Sequence, residues 1–506
     1  MDLHRRASGI LLHVTSLPGP HGIGDLGPGA CHFVDWLAAA GQRLWQILPV
    51  TPIGPGDSPY QSPSAFAGSP LMVALEPLVE RGWLAAPSLP EGGFDAHRVD
   101  FRRVVAWRFE QLRHAARGFF ARARGPHRDA WHAWCEANAA WVDDYALFMT
   151  LKAAAGERPW WEWGAALAGR EASAIAAARA AHARDIAFWR FVQWCFDEQF
   201  AALRAYASAR GVAILGDLPI FVAHDSADCW SRPDLYHLDE AFRPTVVAGV
   251  PPDAFAQTGQ RWGNPLYRWD RMAGEGYAWW TARVRRALAH ADVFRIDHFR
   301  GFSQYWEIPA SCPTAVEGKW VDGPGQALFD AIAREVDGLP IVAEDLGHIT
   351  PDVKALRDAC DFPGMKVLQF AFGGDGSHEY LPHSLPPHCV AYTGTHDNDT
   401  ARGWWESAPA RERAFARAYL GCAGDDAHWA MIRALSTCAA NIVVFPMQDA
   451  LGLGSAHRMN LPGTLGGDNW TWRFTWDMVG ETPGRQLGEI AAASGRAPID
   501  LLRLPG

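Results

Sequence analysis

Residues 328–345 read LFDAIAREVDGLPIVAED, and this stretch holds the repeating unit of the fold. Leu328–Asp337 has the apolar spacing of an amphipathic helix and stops at Gly338, a residue free to take the left-handed turn that ends helices. Ile341-Val342-Ala343 then makes a short apolar run that closes on an acid, Glu344. A helix halted by glycine and followed by a buried strand is one α/β step. The step recurs in both directions. Apolar runs lie at Gly9–Val14, Arg43–Val50, Val212–Asp217, Asp292–Asp297, Pro340–Glu344, Lys366–Phe370, Cys389–Thr395 and Asn441–Pro446. Helical stretches at Cys31–Ala40 and Ile186–Arg210 halt at Gly41 and Gly211. Eight strands interleaved with helices predict a closed parallel (β/α)8 TIM barrel, with an open doubly wound sheet as its rival. No G-x-G-x-x-G or G-x-x-x-x-G-K-[ST] directly follows any run, so nucleotide-type phosphate binding is not expected.

The spacing between runs is uneven. Between Val50 and Val212 lie 161 residues, far more than one crossover helix needs. Phe101–Ala181 within this gap is Ala-, Arg- and Trp-rich and helical in pattern, which predicts an inserted, mainly helical subdomain over residues 75–185. Between Asp217 and Asp292 lie 74 residues, which predicts a second inserted subdomain over 218–290. Its Pro/Gly-rich segment Val246–Asp270 reads as a long structureless loop, a form that usually serves function. Both insertions follow the carboxyl ends of strands, where such barrels build active sites. The expected architecture is a single catalytic barrel over 1–506 with large insertions after strands 2 and 3.

Composition narrows the function. A net charge of −10 without any basic run argues against nucleic acid and anionic membranes as partners. Nine scattered cysteines, odd in number and without a C-x-x-C pair, fit a reducing compartment and give no disulfide framework or zinc cluster. The first apolar run is about six residues and ends in Pro-Gly, so it reads as a strand rather than a signal peptide. No stretch approaches the ~20 apolar residues of a membrane span. Together these features place the chain in the cytoplasm. The 25 Trp residues supply flat apolar platforms; many must serve the core, but several lie in Gly/Pro/Asp-rich loops.

Four of the eight runs end at or beside an acid: ILGDLP at Asp217, FRIDH at Asp297, IVAEDLG at Glu344 and TGTHDN at Asp397. Strand side chains alternate, so Arg295 and Asp297 point the same way, and the guanidinium favours an ionised Asp297. Glu344 follows three apolar residues with no cation within two positions, an environment that raises a carboxyl pKa and suits a general acid. Two carboxylates in unlike environments are what glycosidic-bond chemistry needs. One strand-end acid alone is as readily a helix cap or an arginine partner; four at the same end of different strands are not. His298 and His396 adjoin two of the acids, and His224 follows the third run. Without H-x-x-H or H-E-x-x-H spacing they read as sugar-hydroxyl partners rather than metal ligands, and His224 reads equally as a structural hydrogen-bonder. Trp262 in GQRWGNP and Tyr60 in SPYQSPSAF lie on loops, where stacking on a pyranose competes with packing. No calcium loop and no His/Cys cluster is present, so neither metal nor organic cofactor is expected.

SPYQSPSAFAGSP, GDLPIFVAHDSADCW, VAGVPPDAFAQTGQRWGNPLY, FRIDHFRG, VAEDLG, YTGTHDNDT and RMNLPGT with NWTWR occur in this order between Leu11 and Phe474. Together they resemble the 4-α-glucanotransferases, the amylomaltase or disproportionating-enzyme family related to the α-amylases. The resemblance implies an α-amylase-type barrel that transfers α-1,4-glucan segments to glucose or another glucan through a covalent glycosyl-enzyme. It makes Asp297 the nucleophile, Glu344 the acid/base and Asp397 the carboxylate that binds and distorts the sugar. Arg295 then supports the nucleophile, with Asp217, His298 and His396 lining the same subsite. Residues 246–270 become a lid over the acceptor side, with Trp262, Asn264 and Pro265 near the substrate, and Tyr60 lies on the donor or product side. Ala254 stands where the family frequently has an aromatic, and Trp470 and Trp472 read as structural. A plain α-glucan hydrolase would use the same acids; the long lid, able to exclude water, favours transfer. A glucan-binding protein without activity should have lost at least one acid, and none is missing.

Overall fold

Each of the eight apolar runs overlaps a strand. The computed structural model describes residues 2–252, 256–424 and 426–501. Among them run β1 (Ala7–Leu11), β2 (Leu44–Gln46), β3 (Ala213–Leu218), β4 (Val246–Val250), β5 (Gln260–Pro265), β6 (Val293–Ile296), β7 (Gln304–Pro309), β8 (Lys319–Asp322), β9 (Ile341–Ala343), β10 (Gly364–Val367), β11 (Cys389–Tyr392) and β12 (Ile442–Pro446). Eight of these close a parallel barrel in the order β1-β12-β11-β10-β9-β6-β3-β2, and the open-sheet rival falls away. Every residue of β1, β6, β9, β11 and β12 is buried. Parallel strands covered on both faces have no reason to alternate, which is why they appear in the sequence as predominantly apolar runs. Gly9 is required where β1 meets β2, because a Cβ there would lie 2.4 Å from the Leu44 carbonyl oxygen. The sixth run is offset: the strand is Gly364–Val367, and Leu368–Gly373 turns as a 3-10 helix.

Between β2 and β3 stand helices at Phe101–Arg122, Pro126–Ala137, Ala139–Ala154, Ala172–Ala181 and Ala183–Ala209. Trp131, Trp160, Trp163, Trp189 and Trp194 are all buried there. Trp83 meets Phe119 edge-on at 4.9 Å, and Phe119 lies 5.9 Å from Trp131. Much of the tryptophan content is therefore core, held by edge-to-face contacts.

The segment 246–270 is not structureless. β4 and β5 pair antiparallel within it, and β4 pairs with β7, which pairs with β8, in a small sheet ordered β5-β4-β7-β8. Two of the four strands thus follow the barrel strand β6 rather than β3. Val247 and Ile308 are buried in this sheet, and Val246 sits opposite Pro309. A second departure concerns residues 22–27, GIGDLG, which have the G-x-G-x-x-G spacing between β1 and the helix Pro28–Ala39. The amides of Gly24, Leu26 and Gly27 donate to the Thr15 and Met72 carbonyls and to Asp25 Oδ1. These donors are committed within the chain, and the glycines serve close packing.

Candidate active site

The barrel register sets the acids side by side. Arg295 is opposite Val342 and Ile296 opposite Ala343, so the next pair along β6 and β9 is Asp297 and Glu344. On the other flank Asp217 of β3 is opposite Arg295. Arg295 is buried between two carboxylates: Nη1 donates to Asp217 Oδ2 at 2.5 Å and Nη2 to Asp297 Oδ1 at 2.5 Å. The Asp217 side chain is fully covered, whereas Asp297 and Asp397 keep 30% and 43% of theirs exposed. Asp297 and Asp397 can therefore meet a substrate directly.

From Asp217 the contacts continue to Asp397. The Tyr60 hydroxyl donates to Asp217 Oδ2 at 2.7 Å and lies 3.0 Å from His396 Nε2. With its proton directed to Asp217, the hydroxyl must accept from His396, so Nε2 carries the ring proton. The same nitrogen is 3.4 Å from Asp397 Oδ2. Tyr60 and His396 stack at 5.4 Å, and Trp470 packs on both rings at 5.7 and 6.0 Å. The loop that carries Tyr60 closes tightly on Gly54, where a Cβ would lie 1.7 Å from the Gln61 carbonyl oxygen. Asp397 itself lies beyond the end of β11, on a turn in which the Asn398 side chain accepts from Thr395 N at 2.8 Å. Asn460 Nδ2 donates to Asp397 Oδ1 at 2.7 Å, and Arg458 Nη2 to its carbonyl at 2.5 Å.

Glu344 has a different environment. Burial, followed by the charge of Asp297, pushes its carboxyl up to about 7, and Arg295 only partly opposes this. Its oxygens accept from His298 N at 2.7 Å and Leu346 N at 3.0 Å. His298 reaches that position from a left-handed conformation, φ 52° and ψ 51°, which costs a non-glycine residue about 1 kcal/mol. Burial also holds the His298 ring near 4, so it is neutral at pH 7. Burial, then Asp217, pushes the Tyr60 hydroxyl well above its ordinary range, leaving it a donor. Asp217 is likewise raised by burial, against the pull of Arg295. Asp217 Oδ1 and His298 Nε2 are buried without a hydrogen-bond partner among the described residues.

Trp262, half-buried on β5, meets the His298 ring edge-on at 4.8 Å. Asn264 is buried; its amide donates to the Val222 carbonyl at 2.8 Å and accepts from Gln61 at 3.3 Å, tying β5 to two loops. Pro265 is buried opposite Val247. His224 stands apart from this constellation: it stacks on Trp161 at 3.8 Å and bonds the Phe242 carbonyl, a structural role. Ala254 lies outside the described residues.

The sequence profile of the 4-alpha-glucanotransferases matches residues 12–478. The chain belongs to that family. The 4-alpha-glucanotransferase of Thermus thermophilus is 50% identical, over 97% of this chain and 99% of its own. That of Synechocystis sp. is 44% identical over 98% and 99%. Among solved structures, amylomaltase from Streptococcus agalactiae in complex with acarbose superposes with a TM-score of 0.93 at 36% identity, covering 97% of this chain and all of that one. Amylomaltase from Corynebacterium glutamicum gives 0.77 at 18% identity and supports the fold alone.

The enzyme thus has a 4-alpha-glucanotransferase activity and a candidate site in which Asp297, Arg295, Asp217, Tyr60, His396 and Asp397 form one chain of contacts, with Glu344 held beside Asp297 by the His298 and Leu346 amides. Asn460 and Arg458 belong to it and escaped sequence reasoning, although the string RMNLPGT that holds them is part of the family pattern. Among the described residues two groups could hold a cation, His21 with Asp25 and Glu76, and His4 with Asp361 and His388; neither includes a residue of this site. No helix among the described residues is long and apolar enough to cross a membrane.

Proposed function

We propose that the enzyme transfers α-1,4-glucan segments to the 4-hydroxyl of glucose or another glucan by retaining double displacement. The observation that carries this reading is the pairing of Asp297 and Glu344 at one register position with opposite environments. Asp297 shares a guanidinium, while Glu344 is lifted to about 7. Paired strands lie ~4.8 Å apart, which suits the ~5–5.5 Å carboxyl separation of retaining enzymes. Glu344 gives its proton to the glycosidic oxygen as the C1–O4 bond breaks, and Asp297 bonds C1 to form a glycosyl ester. The freed chain leaves. Glu344, now ionised, takes the proton of an acceptor 4-hydroxyl; that oxygen bonds C1, and the ester bond returns its electron pair to Asp297. Asp397 holds and distorts the sugar at the cleavage point. His298 and His396 line the same subsite, and Asp217, fully covered, holds Arg295 and Tyr60 in place behind it. Residues 75–185 act as an inserted helical subdomain, and 218–290 as a second, with 246–270 as the cover on the acceptor side. The nine unpaired cysteines support a reducing, cytoplasmic setting.

Maltotriose tests the proposal. The enzyme should release glucose and build longer maltooligosaccharides while reducing ends stay nearly constant, and proton NMR of the longer products should show the newly formed linkages as α-1,4. A steady rise in reducing ends would make it a hydrolase, and newly formed β linkages would mean inversion.

A further inference from the structure

At the amino ends of the strands, away from the acids, a cavity of about 620 Å³ opens between the starts of β1 and β3 and the residues that lead into β2 and β6. Four arginines line it: Arg5, Arg6, Arg43 and Arg496. We propose that this cavity binds a phosphorylated small molecule at a site separate from the catalytic one.

Two of the arginines are fixed charges. Arg496 is 3% exposed, and all five of its N–H groups donate to main-chain carbonyls, those of Ser436, Ala7, Asn441, Cys438 and Ala440. Arg6 likewise bonds only carbonyls. Carbonyl dipoles satisfy the donors but leave the charges unanswered, and no carboxylate pairs with either guanidinium among the described residues. Burial and the neighbouring Arg6 together push Arg496 down to about 10, as expected of cations held side by side. The other two are free. Arg5 and Arg43 are exposed, and their side chains enter no hydrogen bond or ion pair among the described residues. Opposing them are Asp2 and Asp292. Asp292 is already engaged by Arg204 at 2.8 and 3.0 Å and by the Ile214 amide, and Asp2 Oδ1 by the His4 amide.

In a chain of net charge −10, four guanidiniums around one cavity form a local excess that an anion would neutralise. Guanidinium forks match the oxygens of a phosphoryl group, and two mobile forks beside two fixed charges form a clamp with a preset field. The volume lies within the ~300–1,000 Å³ of small-molecule sites, so a bare phosphate would leave much of it unfilled. The ligand class is therefore a phosphate ester or diphosphate. Because Arg5 precedes β1 and Arg43 precedes β2, a bound phosphoryl group would fasten two barrel strands and stabilise the folded enzyme by mass action.

Calorimetric titration of the full chain with inorganic pyrophosphate and with glycerol phosphate, at constant ionic strength, tests this. Both should bind with Kd at or below ~1 mM and raise Tm, while citrate should bind at least tenfold more weakly. Arg5→Gln with Arg43→Gln should weaken both phosphoryl probes tenfold or more. Without a probe, its maltotriose transfer should match wild type, since neither residue belongs to the catalytic group. Equal affinity in the double variant, no binding by either probe, or a Tm rise that sodium chloride reproduces would each overturn the proposal. So would citrate binding as tightly as pyrophosphate, since the site would then lack phosphoryl selectivity.

Discussion

Replacing Glu344 with Gln removes a carboxyl that the fold holds at about 7 instead of its ordinary 4.5. At about 1.4 kcal/mol per pH unit, that gap represents about 3 kcal/mol of penalty on the ionised form. Because the folded value is raised, the wild-type contribution to stability is fully present below about 4.5 and is lost as pH rises through about 7. The amide carries no charge and avoids this loss. It has its own cost, however, because Glu344 accepts two backbone N–H bonds, from His298 and Leu346. A Gln presents one acceptor and sets an NH2 against the other donor, at about 1–3 kcal/mol. The variant should therefore be less stable than wild type by about 1–2 kcal/mol at pH 5, where the acid is neutral, and more stable by a similar amount at pH 9. Matched urea titrations at pH 5, 7 and 9 measure the swing. A difference that stays flat within about 0.5 kcal/mol, or moves the opposite way, would refute the assigned environment of Glu344. Wild-type kcat/KM should fall above pH 7, as the acid loses its proton before the first bond breaks.

Asp297→Asn should lower turnover by several orders of magnitude without unfolding the chain, and wild-type-like product release from maltotriose would place the nucleophile elsewhere. Asn460→Ala frees one oxygen of Asp397 and should reduce kcat about tenfold to a hundredfold with KM less affected; an unchanged kcat would remove Asn460 from the working site. Trp262→Ala should raise the share of hydrolysis, measured as new reducing ends per glucose released. A share identical to wild type would separate the β5 aromatic from water exclusion.

The barrel was legible because its strands are covered on both faces. Ile341–Ala343 and Ile442–Pro446 leave no polar side to confuse the pattern, and the glycine stops before such strands are local signals. Residues 246–265 hide their structure for the converse reason. Their strands are short and glycine-rich, and the partner that makes them a sheet, Gln304–Pro309, lies beyond two α-helices and a barrel strand. The site divides along the same line. Arg295 and Asp297 are two residues apart on one strand, so their shared face follows from the pleat. Tyr60 meets Asp217 across 157 positions, and Asn460 meets Asp397 across 63, which no local periodicity records. Only the family pattern marks the strings that contain them.

The first barrel strand is bonded to the last, Ala7 opposite Ile442 through Leu11 opposite Pro446. During synthesis β1 leaves the ribosome 435 residues before its partner begins. At ~5–20 residues per second, that edge waits tens of seconds with only β2 beside it. Until then the nascent chain is an open parallel sheet with two unpaired borders, the form most prone to pairing with another chain. Asn460, the clamp on Asp397, emerges later still. The enzyme therefore has no nascent fragment with a complete site, and its yield in cells should depend on how well that waiting edge is shielded.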